Sequence, residues 1–402
     1  MSSATAMVAA EEVASGHAPG RTAALAVTAV GVATPAGLDP VELARAVLAG
    51  RQGSADTEGL GDEALPPRGA RVVPELQNAF AEHIGRKGNR HLDRTTRLGL
   101  LACQFALEGH TGPVGPRTGV VLGTSTGSIR SSSEYSMETL RQDRPYLVNP
   151  SLFPNTVMNC AAGQIAIRHG LKGVNATLAG GHLAGVQALR YARNALRQGH
   201  ADRLLVGGVE EYCAQSAWGW HRSGALGIDA PVGEGAAFLM IEPAAAVHAA
   251  GRRGLARILA CETAFAGGRG LGDALAAVIG AALVRSGKDP AEVQAVSLGS
   301  TGQRGLELVE QRAVRAALGG RLPQRVIRVK DTVGECFSSG GALQIAALLG
   351  AWQDQGAAAA GETAVVTAVS QEGQVGCVVL DTNELGTGEL GAGGLGAGGL
   401  GD

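Results

Sequence analysis

Aromatic residues make up only 3% of the chain, and no uninterrupted run approaches the roughly 18 apolar residues that a membrane span needs. The first twenty residues also lack the basic start and apolar block of an export signal, so a cytoplasmic protein without membrane contact is expected. Charge of one sign is missing too. Lysine and arginine number 34 against 36 acidic residues, a net charge of −2, which excludes the basic excess of a nucleic-acid binder. Six cysteines (Cys103, Cys160, Cys213, Cys261, Cys336 and Cys377) are scattered without metal-ligand spacing. They read as small core residues, and neither a metal nor a cofactor is expected.

What the chain has in excess is glycine, 62 of 402 residues and about twice the ordinary share of roughly 7%. Glycine without low complexity points to tight turns and close backbone packing. The tails differ: residues 1–22 and the glycine repeat over 384–402 cannot bury a core and are expected to be flexible. Between them, short β-branched runs read as strands buried on both faces. They are Leu25–Val32, Gly119–Gly123, Arg203–Gly207, Ala237–Ile241, Leu255–Ala260, Ala295–Leu298, Arg325–Val329, Ala364–Val369 and Cys377–Leu380. Helical patterns lie between many of them, at Pro40–Ala49, Arg94–Glu108, His182–Gln198, Leu271–Ser286, Leu306–Ala317 and Gly340–Gln353. This alternation implies an α/β fold with helices on both sheet faces. Arg51–Arg71, rich in Gly, Pro and Asp, reads as an exposed loop.

The pattern repeats weakly. GVVLGTSTG (Gly119–Gly127) echoes AVSLGSTGQ (Ala295–Gln303), and LLVGGVEE (Leu204–Glu211) echoes VVTAVSQEG (Val365–Gly373). Two fused copies of one α/β half, over 23–250 and 251–383, would explain both pairs.

Five segments in order, AVTAVGVATPAG (Ala26–Gly37), FPNTVMNCAAGQIAIRHGLKG (Phe153–Gly173), GVNATLAGGHLAG (Gly173–Gly185), RLLVGGVEE (Arg203–Glu211) and VGEGAAFLMIE (Val232–Glu242), resemble the β-ketoacyl synthase (thiolase-fold) family. The resemblance implies two pseudo-duplicated α/β halves in a five-layered αβαβα architecture. It also implies a Cys–His–His centre, and there the chain departs. The nucleophile position holds His182, the first histidine position holds Leu298, and the second holds Glu335, with Lys330 of that motif retained. The usual aromatic gate residue is Gln371. An imidazole cannot form the thioester that carries a growing chain, and leucine removes a donor to the enolate. Neither Cys160 nor Cys336 stands where a substitute nucleophile is needed.

A ketosynthase-like chain without its triad resembles the chain length factor of type II polyketide synthases, nearest to systems making reduced polyene chains. That resemblance implies pairing with an active ketosynthase, an acyl carrier protein as further partner, and a tunnel wall over Thr124–Met137 and Leu147–Cys160. Ile129, Tyr135, Met137 and Phe153 are the candidates for lining it, or else are core. The alternative is a homodimeric thiolase-fold enzyme using His182 and Glu335 for decarboxylation or acyl chemistry. In either case Lys330 and Glu210 should be paired, because a buried unpaired charge is costly. Arg190, Arg193 and Arg197, on one helical face, read as solvated.

Overall fold

The computed structural model describes residues 24–382, so both expected tails lie outside the described residues. Ten strands form one sheet: β1 (Leu25–Ala33), β2 (Thr118–Thr124), β3 (Asn175–Ala179), β4 (Arg203–Glu210), β5 (Gly235–Pro243), β6 (Ala256–Phe265), β7 (Val293–Ser297), β8 (Arg325–Ile327), β9 (Thr363–Val369) and β10 (Gln374–Asp381). The helices are α1 (Pro40–Leu48), α2 (Leu76–His83), α3 (Arg94–Glu108), α4 (Ile129–Arg141), α5 (Cys160–His169), α6 (Ala184–Arg197), α7 (Ala214–Ser223), α8 (Ala244–Ala249), α9 (Leu271–Ser286), α10 (Leu306–Ala317), α11 (Val329–Val333) and α12 (Gly340–Gln355). All nine strands and all six helices read from the sequence are present. β3, α2, α4, α5, α7, α8 and α11 are additional.

Strand order runs β8-β7-β9-β10-β6-β1-β5-β4-β2-β3. Counted outward from the centre, each half reads first, fifth, fourth, second, third. The pairing senses repeat as well: antiparallel for β1–β5, β5–β4, β6–β10 and β10–β9, parallel for β4–β2, β2–β3, β9–β7 and β7–β8. The two sequence echoes therefore fall on equivalent strands, β2 with β7 and β4 with β9. Only three residues on each side, Leu25–Val27 against Ala256–Ile258, join the halves through the sheet.

Alternation along the strands divides the apolar residues among three cores. Leu25, Val27, Val206, Leu239, Val366 and Val378 face a shared inner core with α6 and α12. Val120, Leu205 and Phe238 face outward onto α2, α3 and α5, while Val296, Val365 and Val379 face outward onto α9 and α10. The result is five layers, helix–sheet–helix–sheet–helix. α12 is apolar all round and buried without a break from Gly340 to Trp352, as a helix sandwiched between the two halves of the sheet must be. Glycines permit the close approaches: a Cβ on Gly123 would meet the Ala184 backbone carbon at 2.6 Å, where β2 ends against the start of α6.

Helix starts follow local chemistry. Asp39 accepts from the Val41 and Glu42 amides ahead of α1, with Pro40 at the first helical position, and Asp93 accepts from the Thr96 amide ahead of α3. The 51–71 segment is irregular and largely exposed, but not wholly. Leu60 and Ala70 are buried with Tyr212, Ala217 and Val232. Among the described residues no helix is long and apolar enough to cross a membrane, and no group of His, Cys, Asp or Glu side chains is placed to hold a metal ion.

The α1–α12 contact gives a stability test. A methyl on Gly350 falls on the Pro40 carbonyl, so Gly350→Ala should cost about 1–3 kcal/mol in urea unfolding.

Candidate functional site

The first cluster lies where the N-termini of α6 and α12 meet in the inner layer. β3 turns through Gly180 and Gly181 into a single 3-10 turn that carries His182, and Gly181 has φ +55°, a left-handed conformation that glycine adopts without strain. His182 is 7% exposed. Its ring meets Phe337 edge-on at 4.5 Å and Trp220 at 5.6 Å between centroids. Neither ring nitrogen has a hydrogen-bond partner. The Nε2 atom stands 3.6 Å from Glu335 Oε2, close enough for an ion pair with a protonated ring.

Glu335 is the hub. Its Oε2 accepts from Lys330 Nζ at 2.8 Å and from Gln303 Nε2 at 2.9 Å, and its Oε1 accepts from the Phe337 amide at 2.8 Å. Burial opposes its ionisation, but the Lys330 ammonium and the His182 ring outweigh burial and hold the carboxyl well below the usual carboxylate range. The space left among His182, Lys330, Gly299 and Gln344 is about 10 Å³, at the lower limit for one water molecule. Leu298 is not part of this group. It is fully buried in the outer core with Leu306, Val314 and Val369, and Gly299 faces His182 in its place. The structure thus brings together three of the four positions read from the family motifs.

Phe337, itself at φ +44°, separates this filled centre from a second space of about 300 Å³. Ile129, Trp220, Val232 and Phe337 supply much of the apolar wall, and Glu210, Glu211 and Ser125 the polar part. Glu210 corrects an expectation: among the described residues it pairs with no cation. Its Oε1 accepts from the Ser125 amide at 2.5 Å, from the Ser338 hydroxyl and from the Thr124 hydroxyl at 3.4 Å. Burial nevertheless dominates and pushes its pKa up to about 7. Glu211 is likewise pushed up to about 7 by burial and by Asp93, against hydrogen bonds from the Arg130 amide and Ser128.

Of the four tunnel candidates, Ile129 lines this cavity. Tyr135, Met137 and Phe153 lie to its outside, with Met137 41% and Phe153 54% exposed and the Tyr135 and Phe153 rings 5.9 Å apart. α4 buries no residue at all. Around it Leu140, Tyr146, Leu147, Val157 and Met158 are exposed as well, a concentration of apolar surface.

The cysteines are inert. Burial raises the Cys336 thiol well above its ordinary value and the Cys160 thiol to about 11. Gln371 is exposed in the β9–β10 turn. The arginine face on α6 is solvated at Arg190 and Arg197, which are exposed, but not at Arg193, which is buried and donates to the Cys261 carbonyl at 3.0 Å. Trp220, Phe337, Gln303 and Glu211 escaped the sequence reading. Trp218 and Trp220, two of only three tryptophans, were the available signal.

The family profile "Beta-ketoacyl synthase, N-terminal domain" matches residues 22–245, and "Beta-ketoacyl synthase, C-terminal domain" matches residues 266–373. The chain belongs to the beta-ketoacyl synthase family. The ketosynthase-like chain is 28% identical over 351 residues to the actinorhodin polyketide putative beta-ketoacyl synthase 2 of Streptomyces coelicolor, covering 80% of this chain and 84% of that one. Among solved structures it is similar to the ishigamide ketosynthase/chain length factor, at TM-score 0.79 and 33% identity over 89% of this chain and 99% of that one. A beta-ketoacyl synthase from Burkholderia phymatum STM815 shares the thiolase-like fold at TM-score 0.76 and 20% identity, over 89% of this chain and 99% of that one.

Two measurements test the electrostatics of the ketosynthase-like site. Lys330→Met strands a buried carboxylate and should cost about 3–5 kcal/mol in urea unfolding, much of it recovered in Lys330→Met/Glu335→Leu. The pH dependence has two opposite parts. The depressed pKa of Glu335 gives stability that is complete above its unfolded value of about 4.3 and is lost as pH falls below it. Glu210 and Glu211, with raised pKa values, bind protons preferentially in the fold, so their part is lost as pH rises from about 4.3 through about 7. Glu210→Gln should therefore gain stability relative to wild type across that second window, read as a Tm difference that grows toward neutral pH.

Proposed function

We propose that this chain is a condensation-inactive ketosynthase-like subunit, a chain length factor, that pairs with an active ketosynthase and shapes the tunnel in which a polyketide or polyene chain grows on its acyl carrier protein. The observation that carries this reading is the filled centre. Where the family's chemistry needs a thiolate, an enolate-stabilising imidazole and room for an acyl group, this chain has His182, Glu335 bound to Lys330, and about 10 Å³. An ionised Glu335 would repel the enolate that decarboxylation forms. The similarity to the ishigamide ketosynthase/chain length factor supports the subunit assignment, and the exposed apolar surface around α4 supplies a face for a partner.

A second reading, a homodimeric enzyme working through His182, has one observation in its favour: among the described residues neither ring nitrogen makes a hydrogen bond, and the Glu335 carboxylate stands 3.6 Å from Nε2. The small gap beside the ring argues against it. Packing against Phe337 and Trp220 accounts for the ring without chemistry.

Native mass spectrometry of the full chain, alone and with a ketosynthase encoded beside it, separates the two. A one-to-one heterodimer, with condensation only when both chains are present, is expected. A stable homodimer that ignores the ketosynthase would overturn the assignment. In the working pair His182→Ala should leave product output unchanged, and Ile129→Phe should shorten the product by filling the cavity end.

A further inference from the structure

The 300 Å³ cavity has an apolar wall of Ile129, Trp220, Val232 and Phe337, yet it is not lined for a plain hydrocarbon. Glu210, 8% exposed, presents a carboxyl group to it. All three hydrogen bonds to that carboxyl run to Oε1, from the Ser125 amide, the Ser338 hydroxyl and the Thr124 hydroxyl. Its Oε2 has no hydrogen-bond partner among the described residues. With three donors already on Oε1, any proton the group carries sits on Oε2. Beside it Glu211, 3% exposed, also has an unpartnered Oε2. A methyl-ended chain seated here would strip water from Glu210 and leave its free oxygen unpaired, which selects against it. A hydroxyl group answers the site in either protonation state, donating to the carboxylate or accepting from the carboxyl.

We propose that this cavity binds the distal end of an acyl chain that carries a hydroxyl group, with Glu210 Oε2 as the hydrogen-bond partner of that hydroxyl. For its acyl ligand the proposal rests on the tunnel-shaping role given above. It adds what that role leaves open, namely the chemical character of the end of the chain. Ile129 and Val232 grip the methylene part by volume, and Glu210 reads the terminus. The other titratable groups around Glu210 are Glu211 on the same strand end and, across the cavity, Glu335 with Lys330 and Cys336.

The test uses the full chain, co-purified with its ketosynthase or alone if no complex forms, titrated calorimetrically in mildly alkaline buffer. The probes are 1-hexanol and its isomer 1-methoxypentane, equal in size but without a donor. The alcohol should bind at least ~10-fold more tightly than the ether. In Glu210→Gln the amide oxygen inherits the three donors, so an NH₂ group faces the cavity. Both probes then accept from it, and the preference should fall to about parity. Ile129→Phe should abolish binding of both. An infrared difference spectrum of the wild type reads the same contact without a variant, since the alcohol should shift a Glu carboxylate band and the ether should not. Equal binding of the two probes by wild type, a preference unchanged in Glu210→Gln, or an unshifted carboxylate band would overturn the proposal. Failure to form a heterodimer would instead remove the subunit assignment, while the ratio of the two probes still decides the character of the cavity.

Discussion

One carboxylate holds the centre of this molecule together. Glu335 collects Lys330 from α11, Gln303 from the loop after β7 and the Phe337 amide from the turn before α12, with His182 from the turn before α6 against it. Those four segments come from both halves of the chain. A charge buried this deeply is tolerable only when its partners are in place, so the positions of all four are coupled. The aromatic trio of His182, Phe337 and Trp220 then closes the space that remains. The positions that correspond to the family's catalytic groups are taken by side chains that pack and pair, and together they form a structural joint.

Next to that joint the chain retains a cavity with the opposite character. Burial raises the Glu210 and Glu211 carboxyls to about 7, whereas Glu335, which lines the same cavity, is held well below the usual carboxylate range. Burial is common to all three. What separates them is Lys330 with the His182 ring, which hold Glu335 ionised, while the hydrogen bonds to Glu210 and Glu211 come from hydroxyl and amide donors. The same burial thus gives a fixed charge and titratable groups along the wall of one cavity.

Much of the architecture was legible because strands such as Ala364–Val369 and Cys377–Leu380 are apolar on both faces, which only a doubly covered sheet explains. The glycine-rich strand ends echoed because β2 and β7, and β4 and β9, occupy equivalent places in repeated topology. β3 was missed because Asn175–Ala179 is polar and partly exposed at the sheet edge. Within the site, His182, Lys330 and Glu335 were found through motif positions. The cavity wall was not, since Trp220 and Phe337 belong to no motif, and a one-residue phase along β7 sends Leu298 to the outer core and Gly299 to the centre. Arg193 was misjudged because its helix face meets β6 rather than water.

The placement of α12 bears on how the chain is made. Inner-facing residues of the first half, such as Leu25, Val27, Val206 and Leu239, are covered jointly by α6 and by a helix that begins only at Gly340. On the ribosome the first half therefore emerges with its inner sheet face covered by α6 but without the part of the cover that α12 supplies. Native closure waits for almost the whole chain. Such late, long-range contacts slow folding and leave sticky intermediates exposed. That order of assembly follows from putting one shared helix layer between the two halves of the sheet.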